Sequence, residues 1–332
     1  MYLVSCIMYL YKAMPELPEV HTTVTGLQKV LPKLSITDIW CDMWSTSILA
    51  KNTIKDKKYF PYFKKHVLNQ KVKNVERRAK YILINLKNDF TIIIHMKMTG
   101  HLMYGKYKQN EKYNGREWAW LPIVADSRGT NAEQTRKNTS PLLDKYNRHI
   151  RVVLTLSNNK HLVFCDSRKF GSISVMKTDL IHKEKLSHIG PEPLDKSFTL
   201  KIFKERLLKS KTKAIKTVLM DQTIIAGVGN IYSDEALHRA HILPWRTTAS
   251  LNDSEWKLLF KSVIEVLKKG IDFGGDSMSD YRNVDGERGK FQNKHLVYLR
   301  TKEQCKNKEC NGIIEKKKIN GRSAHFCKGC QK

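Results

Sequence analysis

The sequence predicts an α+β protein of several domains, with β-strands in its first half, helices in its second half and a small metal-binding unit at its end. Short apolar runs separated by turn residues follow one another from about residue 36 to residue 175. Apolar residues at helical spacing take over after residue 198. Four cysteines then lie in two pairs between Cys305 and Cys330, with a spacing typical of structural zinc sites.

The chain carries a large excess of positive charge. Its 332 residues include 60 Lys and Arg against 32 Asp and Glu, which leaves a net charge of +28. Because the excess runs through the whole chain, it favours a polyanionic partner, most commonly nucleic acid, over a merely soluble basic surface. No apolar run approaches the length of a membrane span. The cysteines outside the C-terminal group are scattered, which favours a reducing compartment, the cytoplasm, over a disulfide framework.

The stretch from Met14 to Val20, with the sequence MPELPEV, offers a nucleophile. If the working chain starts at Met14 and this methionine is removed, Pro15 becomes a free secondary amine. Such an amine can attack the C1′ atom of a nucleotide sugar and form an iminium. An α-amino group titrates at about 8, below lysine, so more of it is unprotonated at neutral pH. Glu16 is placed to move protons beside it, although prolines alone more often only stiffen a segment before a helix.

Residues 1–14 are predicted to be an extension, or a misplaced start, that is absent from the active protein. Residues 1–13 are apolar but lack the basic leader and the cleavage site of a signal peptide. Any such extension would cap Pro15, so the proposed chemistry depends on its removal. After it, Val20 and Val24 begin a helical spacing that predicts a helix ending before Pro32.

The region from about residue 36 to residue 175 has the pattern of short strands, which indicates a β-sandwich or a barrel. The runs 82–86 and 90–94 predict one hairpin, and the runs 150–156 and 161–165 predict a second. Between the hairpins, the segment from Gly105 to Arg148 is polar and charged. We interpret it as a long, mobile loop or insertion.

Three clusters in this half place functional side chains at strand ends. Lys80, in the segment RRAKY, can hold a phosphate or assist at a reacting centre, although a solvated strand end explains it equally well. Met98 lies at the tip of one turn, and Arg168 and Phe170 lie at the tip of another. A base flipped out of a duplex leaves a hole that apolar side chains can fill, while Arg can hydrogen-bond the orphaned base. Each tip residue alone is more often a packing residue.

The second half begins after a predicted linker at residues 186–197. The turn GVGN then opens a helix with Asn230 near its cap, a suitable site for a DNA phosphate because helix N-termini bind anions. Lys216 adds a plausible phosphate donor. Asn252 begins a capping pair for a last, core-forming helix. Residues 270–292 are rich in Gly, Asp and Ser and predict a long loop able to fold over a ligand.

The C-terminal cysteines follow the spacing C-x4-C-x16-C-x2-C. Four thiolates close a tetrahedral zinc site, which is structural because no open position remains for catalysis. Such a site supplies about 10 kcal/mol or more of folding free energy to a segment too small for its own core. Arg322 lies in the hairpin between the two pairs and is expected to point outward. The predicted ligands are Cys305, Cys310, Cys327 and Cys330.

With these segments in order, the chain from Met14 to its end closely resembles bacterial formamidopyrimidine-DNA glycosylase, a family of bifunctional glycosylases and AP lyases. The resemblance rests on PELPEV, RRAKY, GVGNIY and the terminal four-Cys finger. It implies a catalytic β-sandwich domain at residues 15–185 with a flanking helix. It also implies a helix–two-turn–helix domain at residues 198–292 and a zinc finger at residues 296–332.

The resemblance further implies excision of oxidised purines, such as 8-oxoguanine and formamidopyrimidines, from double-stranded DNA with β,δ-elimination. The implied enzyme is a monomer in the bacterial cytoplasm, near the nucleoid. By position, its catalytic residues are Pro15 as nucleophile, Glu16 as proton donor and Lys80 as the elimination lysine. Its implied DNA contacts are the phosphate clamps Asn230 and Arg322 and the void fillers Met98, Arg168 and Phe170. The loop at residues 276–291 corresponds to the one that covers the flipped base.

Some residues depart from the family pattern. His21 stands where Glu is usual, and Ser167 and Lys169 replace the usual Pro and Arg. Lysine keeps the charge but loses bidentate phosphate geometry, so a contact there is expected to be weaker. None of these changes removes a catalytic group.

Two other functions are compatible with parts of the pattern. The endonuclease VIII class uses the same amine chemistry on oxidised pyrimidines, but it typically has Gly where Leu17 stands. A non-catalytic DNA-binding protein follows if Pro15 stays capped, since phosphate contacts need no free amine.

Overall fold

The computed structural model describes residues 14–113, 118–124 and 140–332. The chain forms two compact units. The first contains the described residues among 14–15, 19–185 and 277–289. The second contains residues 16–18, 186–276 and 290–332. The extension predicted at residues 1–14 lies, up to residue 13, outside the described residues.

The first unit is a β-sandwich with flanking helices α1 (Leu17–Val30) and α2 (Phe60–Val67). Its strands are β1 (Ile36–Cys41), β2 (Val72–Arg78), β3 (Tyr81–Leu86), β4 (Phe90–His95), β5 (His101–Gly105), β6 (Tyr107–Gln109), β7 (Trp120–Pro122), β8 (Ile150–Leu156), β9 (His161–Cys165) and β10 (Ser172–Lys177). Two four-stranded antiparallel sheets have the orders β1-β8-β9-β5 and β10-β4-β3-β2. Both sheets and both helices contribute side chains to one apolar core, so the sandwich prediction is confirmed.

Both predicted hairpins of the first unit are present. Strands β3 and β4 pair with Ile82 opposite Ile94, and strands β8 and β9 pair with Val153 opposite Val163. The turn between β3 and β4 contains Asp89 with a φ of 59°, a left-handed conformation that Asp tolerates well. Each hairpin therefore has the register that its apolar pattern requires.

The segment between residues 105 and 148, interpreted as a long loop or an insertion, contains regular structure. This corrects the loop interpretation and is compatible with an insertion. Strands β6 and β7 form a small antiparallel ladder. Tyr107 and Trp120 from this ladder are buried in a second apolar cluster against sheet residues such as Met103 and Val153. Aromatic side chains bury enough area to order even a three-residue strand. Residues 114–117 and 125–139 of the segment lie outside the described part of the chain.

The second unit is helical and ends in a β-hairpin. Its elements are α3 (Leu200–Leu207), α4 (Ile215–Leu219), α5 (Asn230–Arg239), α6 (Asp253–Asp272), β11 (Ile314–Ile319) and β12 (Arg322–Cys327). The capping box predicted at Asn252 is present, since its side chain accepts from the backbone N–H of Glu255 while that carboxylate accepts from the backbone N–H of Asn252. Helix α6 continues to Asp272, so the loop predicted from residue 270 begins three residues later.

The predicted fold class is therefore confirmed: a β-sandwich, a helical part and a C-terminal hairpin that carries the cysteines. No helix among the described residues is long and apolar enough to cross a membrane.

Candidate functional site

In the second unit, a glycine-rich turn holds Glu16. The Glu16 side chain is 2% exposed, and its Oε1 atom accepts a hydrogen bond of 2.8 Å from the backbone N–H of Ile231, near the start of α5. A Cβ atom at Gly229 would overlap the Glu16 carboxyl group, so any side chain there would require this carboxyl to move. Gly227 has a φ of 83°, and its carbonyl accepts from the backbone N–H of Leu17 at 3.1 Å. The turn predicted to bind phosphate therefore also positions the Glu16 carboxyl.

Asn230 is the first residue of α5 and is half-buried. Burial raises the pKa of the Tyr298 phenol, and the Asn230 side chain opposes the rise in part. The phenol therefore stays protonated. Asn230 lies at a helix N-terminus, as predicted, where backbone N–H groups favour an anion.

Lys216 does not lie where a phosphate contact requires it, which corrects the expectation for this residue. The Lys216 side chain is 1% exposed, and its ammonium lies 2.5 Å from Oδ1 of Asp234, which is 0% exposed. The other oxygen of Asp234 accepts from the backbone N–H of His325 at 2.9 Å and from its Nδ1 at 3.0 Å. The buried carboxylate thus joins α4, α5 and β12, and we interpret Lys216 as a positioning residue.

Arg322 begins β12 at the tip of the C-terminal hairpin and is exposed, as predicted. Asn320 and Gly321 form the turn with φ values of 44° and 79°. Two left-handed residues are what a two-residue hairpin of this kind requires, and Asn-Gly is its preferred sequence. The Asn320 amide also donates to the Thr217 hydroxyl at 3.0 Å. This contact fixes the tip against α4 and leaves the guanidinium accessible.

The four C-terminal cysteines form one cluster. Their sulfur atoms all lie within 4.8 Å of one another, with 3.8 Å between Cys305 and Cys330 and 3.6 Å between Cys310 and Cys327. Tetrahedral zinc with bonds of about 2.3 Å places its sulfur ligands about 3.8 Å apart. The group predicted from the spacing is therefore confirmed as one that can hold a metal ion.

In the first unit, Lys80 lies in the tight turn between β2 and β3. Its side chain is 4% exposed, and the preceding Ala79 has a φ of 52°. The Arg77 guanidinium donates to the Ala79 carbonyl at 2.8 Å and so supports the turn. Burial, together with the charges of Lys97 and Lys80, lowers the pKa of nearby His95 to about 3. His95 is therefore neutral in a strongly positive environment. Pro15 is also buried.

Met98, Arg168 and Phe170 come together at one surface of the first unit, although they belong to two different turns. The Arg168 guanidinium lies 3.5 Å from the Met98 sulfur and 4.4 Å from the centre of the Phe170 ring. Phe170 is 48% exposed. An exposed aromatic ring with a cation over its face is a suitable wedge for stacked bases. All three residues are identifiable in the sequence as tip residues, but the contact between the two turns follows only from the fold.

Asp166, which the sequence analysis did not single out, holds these two turns together. It is 0% exposed, and it accepts from the Thr99 hydroxyl, from the backbone N–H of Arg168 at 3.2 Å and from that of Gly171 at 2.7 Å. Lys169, which departs from the family pattern, lies 3.5 Å from Asp42 on the surface. No local sequence signal identifies the link from Asp166 to the other turn, because its Thr99 partner is distant along the chain.

The loop at residues 277–289 is anchored within the first unit. The Tyr281 hydroxyl donates to the Glu19 carbonyl at 3.0 Å, and the Arg282 guanidinium lies 2.9 Å from the Asp144 carboxylate. The Val284 carbonyl accepts from the backbone N–H of Tyr104 at 2.7 Å. The predicted loop is thus present, and its Asp144 partner comes from the end of the 105–148 segment.

Two family models match the chain over most of its length. The N-terminal domain of formamidopyrimidine-DNA glycosylase matches residues 14–173, and the H2TH domain of that enzyme matches residues 189–282. The chain belongs to the formamidopyrimidine-DNA glycosylase family.

Relatives within this family align with nearly the whole chain. Formamidopyrimidine-DNA glycosylase from Pelotomaculum thermopropionicum is 35% identical over 96% of this chain and 99% of its own length. The Rickettsia felis enzyme of the same name is 34% identical over 96% of this chain and 98% of its own length. A Lactococcus lactis Fpg in complex with abasic-site DNA superposes with a TM-score of 0.74 and is 31% identical, covering 96% of this chain and 99% of that one. A mutant of the Lactococcus lactis enzyme in complex with Fapy-dG-containing DNA superposes with a TM-score of 0.74 and is 32% identical, covering 96% of this chain and 100% of that one.

Proposed function

We propose that this chain is a base-excision repair enzyme that removes oxidised purines, 8-oxoguanine and formamidopyrimidines, from double-stranded DNA and then cleaves the strand. The observation that carries the proposal is the buried Glu16 carboxyl, held by Ile231 and by the space that Gly229 leaves. This carboxyl directly follows Pro15 in a chain that aligns with the glycosylase family from residue 14 onward. We infer that it works as a monomer in the bacterial cytoplasm, since its named relatives are bacterial enzymes.

In the proposed reaction, the Pro15 nitrogen forms a bond to C1′ while the bond from C1′ to the damaged base breaks. The base leaves with a proton, and Glu16 supplies protons to the opening sugar. The resulting iminium withdraws electrons, so a proton can leave C2′ as the bond to the 3′ phosphate breaks. A second elimination breaks the bond to the 5′ phosphate, and hydrolysis then frees Pro15. We assign Lys80 to these elimination steps.

The reaction requires an unblocked amine at Pro15. In a chain that continues upstream, the Pro15 nitrogen is part of a peptide bond and cannot form an iminium. We therefore propose that the reactive form begins at Pro15, after removal of Met14. The start of the family match at residue 14 supports this assignment.

We assign the DNA contacts to exposed or helix-terminal side chains. Asn230 and Arg322 bind phosphates, and the cluster of Met98, Arg168 and Phe170 fills the space left by the flipped base. The loop at residues 276–291 covers that base. The net charge of +28 adds sequence-independent attraction to DNA, which salt should weaken.

We further propose that the four-Cys cluster holds one structural zinc ion. The ligands are Cys305, Cys310, Cys327 and Cys330, whose sulfur separations of 3.6 and 3.8 Å suit tetrahedral zinc. Bound zinc supplies folding free energy to the hairpin that presents Arg322.

Borohydride trapping tests the proposal. Protein expressed from Met14 is mixed with a duplex that contains 8-oxoguanine opposite cytosine, and borohydride reduces any iminium to a stable adduct. We expect peptide mapping to locate the adduct on Pro15. The chain expressed from Met1, in which the Pro15 nitrogen is part of a peptide bond, is the control in which no adduct on Pro15 should form. The Pro15→Gly variant keeps a free α-amine but loses the secondary amine of proline, and it should excise the base slowly or not at all.

A Glu16→Gln variant tests the proton-transfer role separately. It should bind the duplex as the wild type does but excise the base slowly or not at all, whereas normal turnover would contradict the role. Binding of the Met14 form without an adduct would contradict the purine assignment. An adduct on an oxidised-pyrimidine duplex alone would then favour endonuclease VIII-like activity.

A further inference from the structure

His238 occupies a buried position beside the four-Cys cluster. It lies near the C-terminal end of α5 and is 3% exposed. Its Nε2 atom is 3.4 Å from the sulfur of Cys305 and 3.6 Å from the sulfur of Cys330. These separations are normal for a hydrogen bond from N–H to sulfur. The imidazole therefore sits over the Cys305–Cys330 edge of the cluster.

The sulfurs that His238 reaches are not the one served by a backbone amide. The amide of Gly312 donates to the sulfur of Cys310 at 3.3 Å. A donor from a cysteine loop thus serves Cys310, whereas the helical histidine approaches Cys305 and Cys330.

The surroundings of the His238 ring indicate that a polar residue stands here because it contacts the cysteine sulfurs. The Nδ1 atom of His238 has no hydrogen-bond partner among the described residues. A buried polar atom without a partner costs free energy, so an apolar ring would be favoured here if packing alone mattered. Since metal-bound thiolates only accept hydrogen bonds, the Nε2 atom must carry the hydrogen.

We propose that His238 is a positioning residue of the metal site, which donates its Nε2–H group to the Cys305 and Cys330 sulfurs. A divalent ion with four thiolates carries a net charge of −2, which burial disfavours and N–H donors offset. Groups that hydrogen-bond metal ligands typically change metal affinity about 10- to 100-fold when they are removed. The proposal rests on the zinc assignment made above for the same cluster.

Zinc competition against a chromophoric chelator tests the role, using the full chain. His238→Phe keeps a flat ring but removes the donor, so zinc affinity should fall by roughly 10- to 100-fold. His238→Gln places an amide nitrogen near the former Nε2 position and should retain most of the affinity. His66→Phe, the same substitution in the first unit, is the matched control and should have no effect. Circular dichroism of the zinc-loaded proteins checks that each variant is folded.

The cobalt-substituted proteins add a readout that distinguishes a donor from a ligand. Wild type and His238→Phe should show the same absorption of cobalt bound to four sulfurs. A change in that spectrum would mean that His238 binds the metal itself and would overturn the donor role.

Two affinity results would also overturn the inference. Equal zinc affinity in wild type and His238→Phe would show that the donor has no effect. Equal losses in the Phe and Gln variants would assign the effect to packing. A wild-type chain that binds no zinc would instead refute the zinc assignment, and the inference would fail with it.

Discussion

Replacing the buried Lys216 tests whether this residue holds the second unit together rather than binding DNA. Lys216→Met keeps most of the side-chain volume but removes the ammonium that lies 2.5 Å from Asp234. The two side chains are 1% and 0% exposed, so water cannot replace the lost partner. The two hydrogen bonds from His325 remain, yet neither removes the carboxylate charge.

The expected magnitude follows from this burial. Removing one partner of a buried ion pair costs about 3–5 kcal/mol, because it leaves an uncompensated charge. In a domain of this size, 1 kcal/mol moves the unfolding midpoint by about 2–4 °C. Calorimetry of the zinc-loaded protein should therefore show that the second unit unfolds about 6–20 °C lower. Adding Asp234→Asn removes the unpaired charge and should restore part of the loss.

The surface pair Lys204–Asp253 supplies the matched control. Its atoms are 2.6 Å apart, nearly the same distance, but the side chains are 39% and 83% exposed. Lys204→Met should therefore move the midpoint far less, since solvent screens the exposed pair. Equal shifts for Lys204→Met and Lys216→Met would refute the reasoning. Unchanged stability of Lys216→Met with a large loss of DNA affinity would restore the phosphate role.

Three further predictions concern other parts of the molecule. Gly229→Ala should displace the Glu16 carboxyl and abolish base excision with little loss of duplex affinity. Single-turnover cleavage and duplex binding measure the two effects. Normal cleavage would show that the space left by Gly229 is not needed to position Glu16. Burial alone lowers the pKa of His295, but the hydrogen bond and charge of Asp276 outweigh it and raise that pKa above 6.5. The contribution of this pair to the free energy of unfolding should therefore be complete below pH 6.5 and fall as the pH rises through the higher folded-state pKa of His295. In urea unfolding, the difference in unfolding free energy between wild type and His295→Gln should shrink as the pH rises. Arg168→Ala should slow excision of 8-oxoguanine more than cleavage at a preformed abasic site, because only the former requires a base to be unstacked; equal slowing in a comparison of the two substrates would argue against void filling.

Secondary-structure elements that depend only on neighbouring residues could be predicted from the sequence, in several cases with the correct residues at their ends. The β3–β4 and β8–β9 hairpins follow from apolar runs with turn residues between them, and the cap at Asn252 follows from its spacing to Glu255. The cysteine cluster follows from the spacing alone, because that spacing leaves few ways for four thiols to meet.

Contacts between distant residues could not be predicted in the same way. Asp166 joins two turns that are far apart in the sequence, and Gly229 meets Glu16 across more than two hundred residues. Lys216 was misassigned because a lysine beside other basic residues indicates a solvated surface unless its buried partner is known. The strands β6 and β7 are only three residues long each, too short for an alternating apolar pattern to identify them, and β6 lies among polar residues.

Helix α5 shows why polar composition is a poor guide to exposure in this family member. Every residue from Ile231 to His238 is buried, although the segment is rich in polar groups and would be interpreted as a surface helix. Three of its titratable side chains meet specific partners: Asp234 meets Lys216, the Glu235 carboxylate accepts three backbone amides beginning at Leu296, and His238 meets two cysteine sulfurs. At 1.5 Å per residue, the helix carries these contacts over about 10 Å, from the amide of Ile231 that holds Glu16 to His238 beside the four-Cys cluster. Because burial of an unpaired polar group is costly, loss of any one partner should shift the helix and disturb the Glu16 carboxyl as well as the hairpin.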